Sequence, residues 1–152
     1  MKLSSRGRYS VRAMFDIAFH GEGAAAQIKD IAERQGIPPR FLEQIFQDLR
    51  RAGLVSSKRG PRGGYHLARA AREISVGEIV RAVEGPLSLC AGEEDAADSG
   101  DVASIGVTEN MFRDLSARVA ACFDQVTLED LSDQAQRQGV RRGNPGGYVY
   151  VI

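Results

Sequence analysis

The sequence predicts a mainly α-helical chain with one small β-hairpin and a long helix in its C-terminal half. Three observations carry this. Apolar residues recur at helical spacing in several separate stretches of the 152-residue chain. One Gly/Pro-rich pentapeptide, Gly60-Pro61-Arg62-Gly63-Gly64, divides two short β-prone runs. The composition, 43% hydrophobic and 26% charged, excludes wholesale disorder, and the length suits one domain or a small domain with an appendage.

The first helix is expected from about Arg8 to Phe19. Tyr9, Val11, Met14, Phe15, Ile17, Ala18 and Phe19 make a face too broad for a lone surface helix, so it belongs in the core. His20-Gly21-Glu22-Gly23 ends it. A second helix is expected over Gln27 to Gln35, with Gly36 as its C-cap. Ile37-Pro38-Pro39 comes next: the residue before a proline is driven out of the helical region, while proline suits a first turn. A third helix therefore runs from Pro39 to Ala52, with Phe41, Leu42, Ile45, Phe46 and Leu49 inside and Arg40, Glu43, Gln44, Gln47 and Arg51 outside.

Two helices joined by a glycine-containing turn, the second with a polar outer face, have the shape of a helix-turn-helix, whose second helix enters the major groove. The segment alone also fits an αα-hairpin with a solvated face. The residues after it favour the helix-turn-helix. Leu54 to Arg59 reads as a strand and Tyr65-His66-Leu67 as its return, and a helix-turn-helix with a basic hairpin behind it is a winged helix-turn-helix. Lys58, Arg59 and Arg62 sit at the tip among residues without bulk, where cations reach phosphates or a narrow minor groove.

Ser75-Val76-Gly77-Glu78 is a capping-box pattern opening a helix through Ala82 or Val83, which closes a domain over 1–84. Residues 85–107 form an acidic, small-residue stretch holding Glu93, Glu94, Asp95, Asp98 and Asp101, too long for a plain connector. Thr108 is expected to cap a long helix to about Gln125, striped by Met111, Leu115, Val119, Cys122 and Val126 and broadened by Phe112 and Phe123. That stripe suits packing against another long helix, with a second copy of the chain as the economical partner. Thr127 starts a last short helix, so 108–138 forms a dimerisation unit. Residues 139–152 read as a flexible tail, and its β-prone Tyr148-Val149-Tyr150-Val151-Ile152 carries no assigned role.

Formal net charge is zero, which taken alone argues against a nucleic-acid binder. The distribution argues the other way. Residues 1–72 hold 14 basic and 6 acidic side chains (+8), residues 73–138 hold 4 and 14 (−10), and the remainder adds +2. No apolar run approaches the roughly 18 residues of a membrane span, and no signal-type core stands behind Lys2, Arg6 and Arg8, so a cytoplasmic address without a membrane partner is expected. Cys90 and Cys122 make no disulfide framework. An enzyme is not expected: no nucleophile–base pair or carboxylate dyad is present, and the Gly60–Gly64 turn lacks the Lys-Ser/Thr of a phosphate loop.

Several longer motifs stand in the chain: Met1-Lys2-Leu3-Ser4-Ser5-Arg6-Gly7-Arg8-Tyr9, Ile31-Ala32-Glu33-Arg34-Gln35-Gly36-Ile37, Leu42-Glu43-Gln44-Ile45-Phe46 and Gly53-Leu54-Val55-Ser56-Ser57. Further along stand Arg59-Gly60-Pro61, Gly63-Gly64-Tyr65, Val76-Gly77-Glu78-Ile79, Arg113-Asp114-Leu115-Ser116 and Thr127-Leu128. Over residues 1–133 these resemble the Rrf-two (Rrf2) family of winged-helix regulators. The resemblance implies a homodimer with the long helix as its seam, binding double-stranded DNA at a pseudo-palindromic operator. It implies a transcriptional regulator, a repressor of iron–sulfur assembly or of iron- and redox-response genes. Arg40, Glu43, Gln44 and wing Arg59 match the family's base-reading positions. Arg40 suits guanine O6/N7, Gln44 suits adenine N6/N7, and Glu43 accepts from cytosine N4. Lys2, Arg6, Arg8, Lys58 and Arg62 are expected on phosphates.

The resemblance breaks at the sensing loop. Cluster-binding members carry three cysteines there and commonly a histidine at the start of the long helix. Here the loop holds Cys90 alone, and Glu109 stands at the histidine's aligned position. An iron–sulfur cluster normally takes four protein ligands. Three readings fit these residues: a [2Fe-2S] cluster on Cys90 with carboxylates such as Glu93, Glu94 or Glu109; a cofactor-free regulator in which Cys90 is a redox thiol or a remnant; or a metal held by the acidic loop itself. Cys122, in the apolar stripe, reads as a buried core thiol, and His20 and His66 match no ligand position. A helix-turn-helix kept as a protein-interaction module is the competing class, and Arg59 and Arg62 on a glycine-rich tip argue against it.

Overall fold

The computed structural model describes residues 2–90 and 100–143. Their order is α1 (Ser5–His20), α2 (Ile28–Gln35), α3 (Pro39–Arg51), β1 (Val55–Lys58), β2 (Gly64–Leu67), a 3-10 turn (Ala71–Glu73), α4 (Val76–Glu84), α5 (Val102–Asp124) and α6 (Leu128–Arg137). The expected mainly helical chain with a two-stranded antiparallel wing is what forms.

Helix α1 is the axis of the fold. Ala13, Met14, Ile17 and Phe19 are buried, and α2, α3, α4, α6 and β2 pack around it, which accounts for its broad apolar face. It starts three residues ahead of the expected Arg8, because Ser4 caps it: the hydroxyl oxygen accepts from the Gly7 N–H at 3.1 Å. Helix α2 ends as expected at Gly36, whose φ of +62° places it in the left-handed region that glycine tolerates. Pro39 opens α3, whose Leu42, Ile45, Phe46 and Leu49 are fully buried against α1 and α4.

A buried ion pair fixes α2 to α1. The Asp16 carboxylate has no solvent exposure, and Arg34 of α2 grips it through Nη2 at 2.7 Å and Nε at 3.0 Å, with Gln35 adding a bond at 2.9 Å. The bond to Asp16 raises the Arg34 pKa above its ordinary value. Next door, burial lowers the His20 pKa, helped by Arg34 and Arg142 and opposed by Asp16. The neutral ring accepts the Gly143 N–H on Nδ1 at 2.7 Å, so the chain beyond α6 returns to the end of α1.

The capping box expected at Ser75 forms, Thr127 opens the expected last helix with a capping box of its own, and the two face each other. Ser75 and Thr127 make an antiparallel bridge, with Val76 N–H on the Val126 carbonyl at 2.8 Å and Leu128 N–H on that of Ile74 at 3.0 Å. Arg81 pairs with Asp124 at 2.7 Å. The junction of α5 and α6 is thereby stapled to the start of α4.

Helix α5 departs from the sequence expectation in two ways. It begins at Val102, capped by Asp101, whose carboxylate accepts from Ala103 N–H at 3.2 Å; Thr108 instead bonds the Ile105 carbonyl in mid-helix. Val102, Val107 and Gly106 are weak helix formers, which is why this stretch reads as loop. The second departure concerns Cys122. It is exposed rather than a core thiol, and Met111, Phe112, Leu115 and Val126 are exposed with it; Ser116 alone is buried among the helix's 23 residues. Periodicity marks an apolar stripe but not the surface that covers it. The Tyr148–Ile152 segment lies outside the described residues.

Arg34→Ala should destabilise the chain more than Asp16→Asn, since it strands a fully buried carboxylate. The expected loss is about 3 kcal/mol, the scale for breaking a buried ion pair from one side. Urea unfolding of both variants checks the order, and equal losses would show that the charge is not what matters.

Candidate nucleic-acid interface

Helix α3 splits cleanly between its two sides. Its four buried residues leave Arg40, Glu43, Gln44, Gln47 and Arg51 exposed, the outer face expected from spacing. Arg40 and Gln44 are one turn apart, so both reach into the same groove if the N-terminal half of α3 is inserted. Pro39 at the first turn fixes the entry of that end.

The wing lies beside it. Strands β1 and β2 pair in the register Val55↔Leu67 to Lys58↔Gly64, putting the turn at residues 59–63. Gly60 has φ +111°, and Gly63 N–H bonds the Gly60 carbonyl at 2.8 Å. A Cβ on Gly63 would overlap the Lys58 carbonyl and lie 2.8 Å from that of Gly60. Glycine is therefore required by close backbone approach. Tyr65 exchanges two backbone bonds with Ala26, each 2.8 Å, so the segment before α2 pairs with β2, and the Tyr65 ring stacks on Phe46 of α3 at 4.4 Å. Wing, turn and α3 are one packed unit.

Lys58, Arg59 and Arg62 are exposed at the wing tip, and Lys2, Arg8 and Arg40 are exposed elsewhere on this half. Among the described residues no ion pair engages any of these six. Unpaired cations around a polar helix face form a surface able to accept a polyanion.

Arg6 differs. It is half-buried, and its Nη2 pairs with the Asp48 carboxylate on the flank of α3. Sequence reasoning does not single out Asp48; its signal is a lone carboxylate in the inner half of a helix otherwise apolar on that side. Phe41 belongs to the inner stripe by spacing, but it is exposed and stands edge-on to Tyr9 at 6.1 Å between centroids.

The loop residues give a thin donor set. Cys90 is half-buried at the end of the segment after α4, with its N–H on Ser88 Oγ at 3.1 Å and the Leu89 N–H on Ser116 Oγ at 2.7 Å. Glu109 is exposed two turns into α5 rather than at its start, because the helix begins at Val102. Glu93 and Glu94 lie outside the described residues. Among the described residues no three His, Cys, Asp or Glu side chains gather as metal ligands. Among the described residues, Cys90 without two further gathered ligands does not meet the demand of an iron–sulfur cluster.

The model of the family described as Rrf2, iron-dependent transcriptional regulator, matches residues 3–134. The chain belongs to the Rrf2 family. Its curated relatives include the HTH-type transcriptional regulator IscR of Vibrio atlanticus, 43% identical over 133 residues, which are 86% of this chain and 75% of the relative. IscR of Pectobacterium carotovorum is equally similar, with 79% of its length covered. Among solved structures, T. potens IscR superposes with a TM-score of 0.73 at 37% identity, covering 94% of each chain. CymR, the global cysteine regulator of B. subtilis, gives a TM-score of 0.73 at 33% identity, covering 88% of this chain and 98% of that one. These Rrf2 relatives are transcriptional regulators, not enzymes, and no described helix here is long and apolar enough to cross a membrane.

Gly63→Ala should distort the wing without unfolding the body, since the wing tip lies outside the buried core. Retention on a heparin column should drop, and the thermal midpoint should fall by a few degrees, about 2–4 °C per kcal/mol of backbone strain. A large fall in midpoint would mean that the turn supports the core.

Proposed function

We infer that the chain is a sequence-specific DNA-binding transcriptional regulator that acts as a homodimer on a pseudo-palindromic operator in the cytoplasm. The observation that carries this is the polar outer face of α3 flanked by a wing tip of unpaired cations, in an Rrf2 chain. Each α3 enters a major groove. Arg40 pairs with guanine, Gln44 with adenine, and Glu43 accepts from cytosine N4 or repels a wrong base. Arg59 reaches the flanking minor groove, while Lys2, Arg8, Lys58 and Arg62 hold phosphates. The exposed Met111, Phe112 and Leu115 of α5 meet their counterparts in the second copy, which sets the two recognition helices one helical turn of DNA apart.

The genes regulated are those of iron–sulfur assembly or of iron and redox response, and the sign is repression; the support is the iron-dependent family description and the IscR relatives. The described donor set does not meet a cluster's demand, so DNA reading is derived from α3 and the wing alone, with Cys90 as a lone thiol.

Arg40→Ala should relax base preference, with about 1–3 kcal/mol of discrimination lost at one operator position. Lys58→Ala should weaken all duplexes alike and reduce the salt slope by about one. Fluorescence titrations at several salt concentrations separate the two, and identical behaviour would mean that this docking is wrong.

Anaerobically purified wild type and Cys90→Ala should have the same low iron content and no visible band. An iron-dependent absorbance lost in Cys90→Ala would show that ligands from 91–99 or from a second subunit complete a site.

A further inference from the structure

We propose that Arg6 and Asp48, braced by Glu84, are positioning residues that set the angle of the recognition helix rather than contacts to DNA. The proposal rests on the reading of α3 as the base-reading element.

Arg6 lies in the first turn of α1 and Asp48 on the flank of α3, 42 positions later. Their side chains pair; Asp48 is 19% exposed, the Arg6 side chain 41%, and Arg6 Nε is buried without a partner. The guanidinium's Nη2 is engaged by the protein's own carboxylate. Arg51 of the same helix also reaches Asp48, at 3.5 Å, but it is the contact to Arg6 that crosses to α1. Arg6 offsets the Asp48 charge and ties α3 to α1 in one contact.

The first turn of α1 is itself held. The Glu84 carboxylate, at the last residue of α4, accepts from Ser4 N–H at 2.8 Å, from Ser4 Oγ–H and from Gly7 N–H at 3.1 Å. A negative charge at a helix N-terminus is favourable and satisfies donors that the helix leaves free. A side chain on Gly7 would collide with Glu84, its Cβ lying 2.7 Å from the carboxyl carbon. The bracing therefore runs from the end of α4 through the start of α1 to the flank of α3. Gly85, with φ +82°, comes immediately after and begins the chain leading to α5. The far end of α4 is stapled to the end of α5, so both connections of the dimerisation helix converge on α4.

The test uses the full chain, a duplex enriched by wild type from a random-sequence library, and a scrambled duplex of equal composition. If wild type shows no preference between them, the function reading fails and takes this proposal with it. Given a preference, Arg6→Ala should weaken the enriched duplex about tenfold, the scale of one charge-assisted hydrogen bond, with an unchanged salt slope. Asp48→Asn should lower the enriched-to-scrambled ratio in the same way although it removes a negative charge, and Glu84→Gln should act in the same direction. The exchange Arg6→Asp with Asp48→Arg should restore part of the ratio. The proposal is overturned if Arg6→Ala weakens both duplexes equally and lowers the salt slope by about one, as a phosphate contact would. It is overturned equally if Asp48→Asn raises the ratio, or if the exchange variant, shown to be folded by its circular dichroism, restores nothing.

Discussion

The outer face of α3 is polar and exposed, so everything that fixes this helix acts from its inner side and its edges. A 13-residue helix is marginal alone in water. Its place comes from burying Leu42, Ile45, Phe46 and Leu49, each worth about 1.5–3 kcal/mol when fully removed from water. Phe46 does more than fill space. Its stack on Tyr65 joins α3 to the wing, and the Ala26–Tyr65 bridge joins the wing to the chain entering α2. The polar face of α3 and the wing are therefore packed as one unit, the arrangement that the proposed DNA contacts need to keep a common register on a duplex.

Helix α1 supplies the other side of that constraint. Five elements pack around it, and several of its polar groups hold neighbours: Asp16 holds α2, Arg6 pairs with Asp48 of α3, and the Gly7 N–H bonds Glu84 of α4. The buried Asp16–Arg34 pair adds specificity at little net gain in stability, since desolvating two charges offsets much of their attraction. Arg34 holds that carboxylate through two nitrogens, Nε and Nη2, which fixes the approach of α2. Polar contacts at the helix crossings fix angles that apolar packing alone leaves looser.

Local chemistry is legible in the sequence, and surfaces are not. The Gly36 cap, the Pro39 start, the Ser75 capping box and the glycine turn of the wing each rest on a constraint within a few residues, and each forms where the residue types place it. The outer face of α3 follows from the 3.6-residue period. The start of α5 is hidden because Gly106 and β-branched residues lower helix propensity over a stretch that Asp101 nonetheless caps. Arg6 reads as a phosphate ligand because its pairing with Asp48, 42 positions away, leaves no mark in the local sequence. Cys122 shows the same limit: its stripe is visible in the spacing, while the surface it faces depends on a second body.

The segregation of charge gains a mechanical sense from this geometry. Residues 1–72 carry +8 and residues 73–138 carry −10, and the two meet at the 3-10 turn and α4. A polyanion is attracted to the basic face of such a molecule and repelled by the acidic one, which orients encounter. Glu109, Asp114, Glu129 and Asp133 of α5 and α6 are exposed. Within the basic half, Asp48 is the carboxylate on the flank of α3, and it is paired. A zero net charge is thus compatible with DNA attraction because the field at a surface is set chiefly by its nearest charges, within about a Debye length of 8–10 Å.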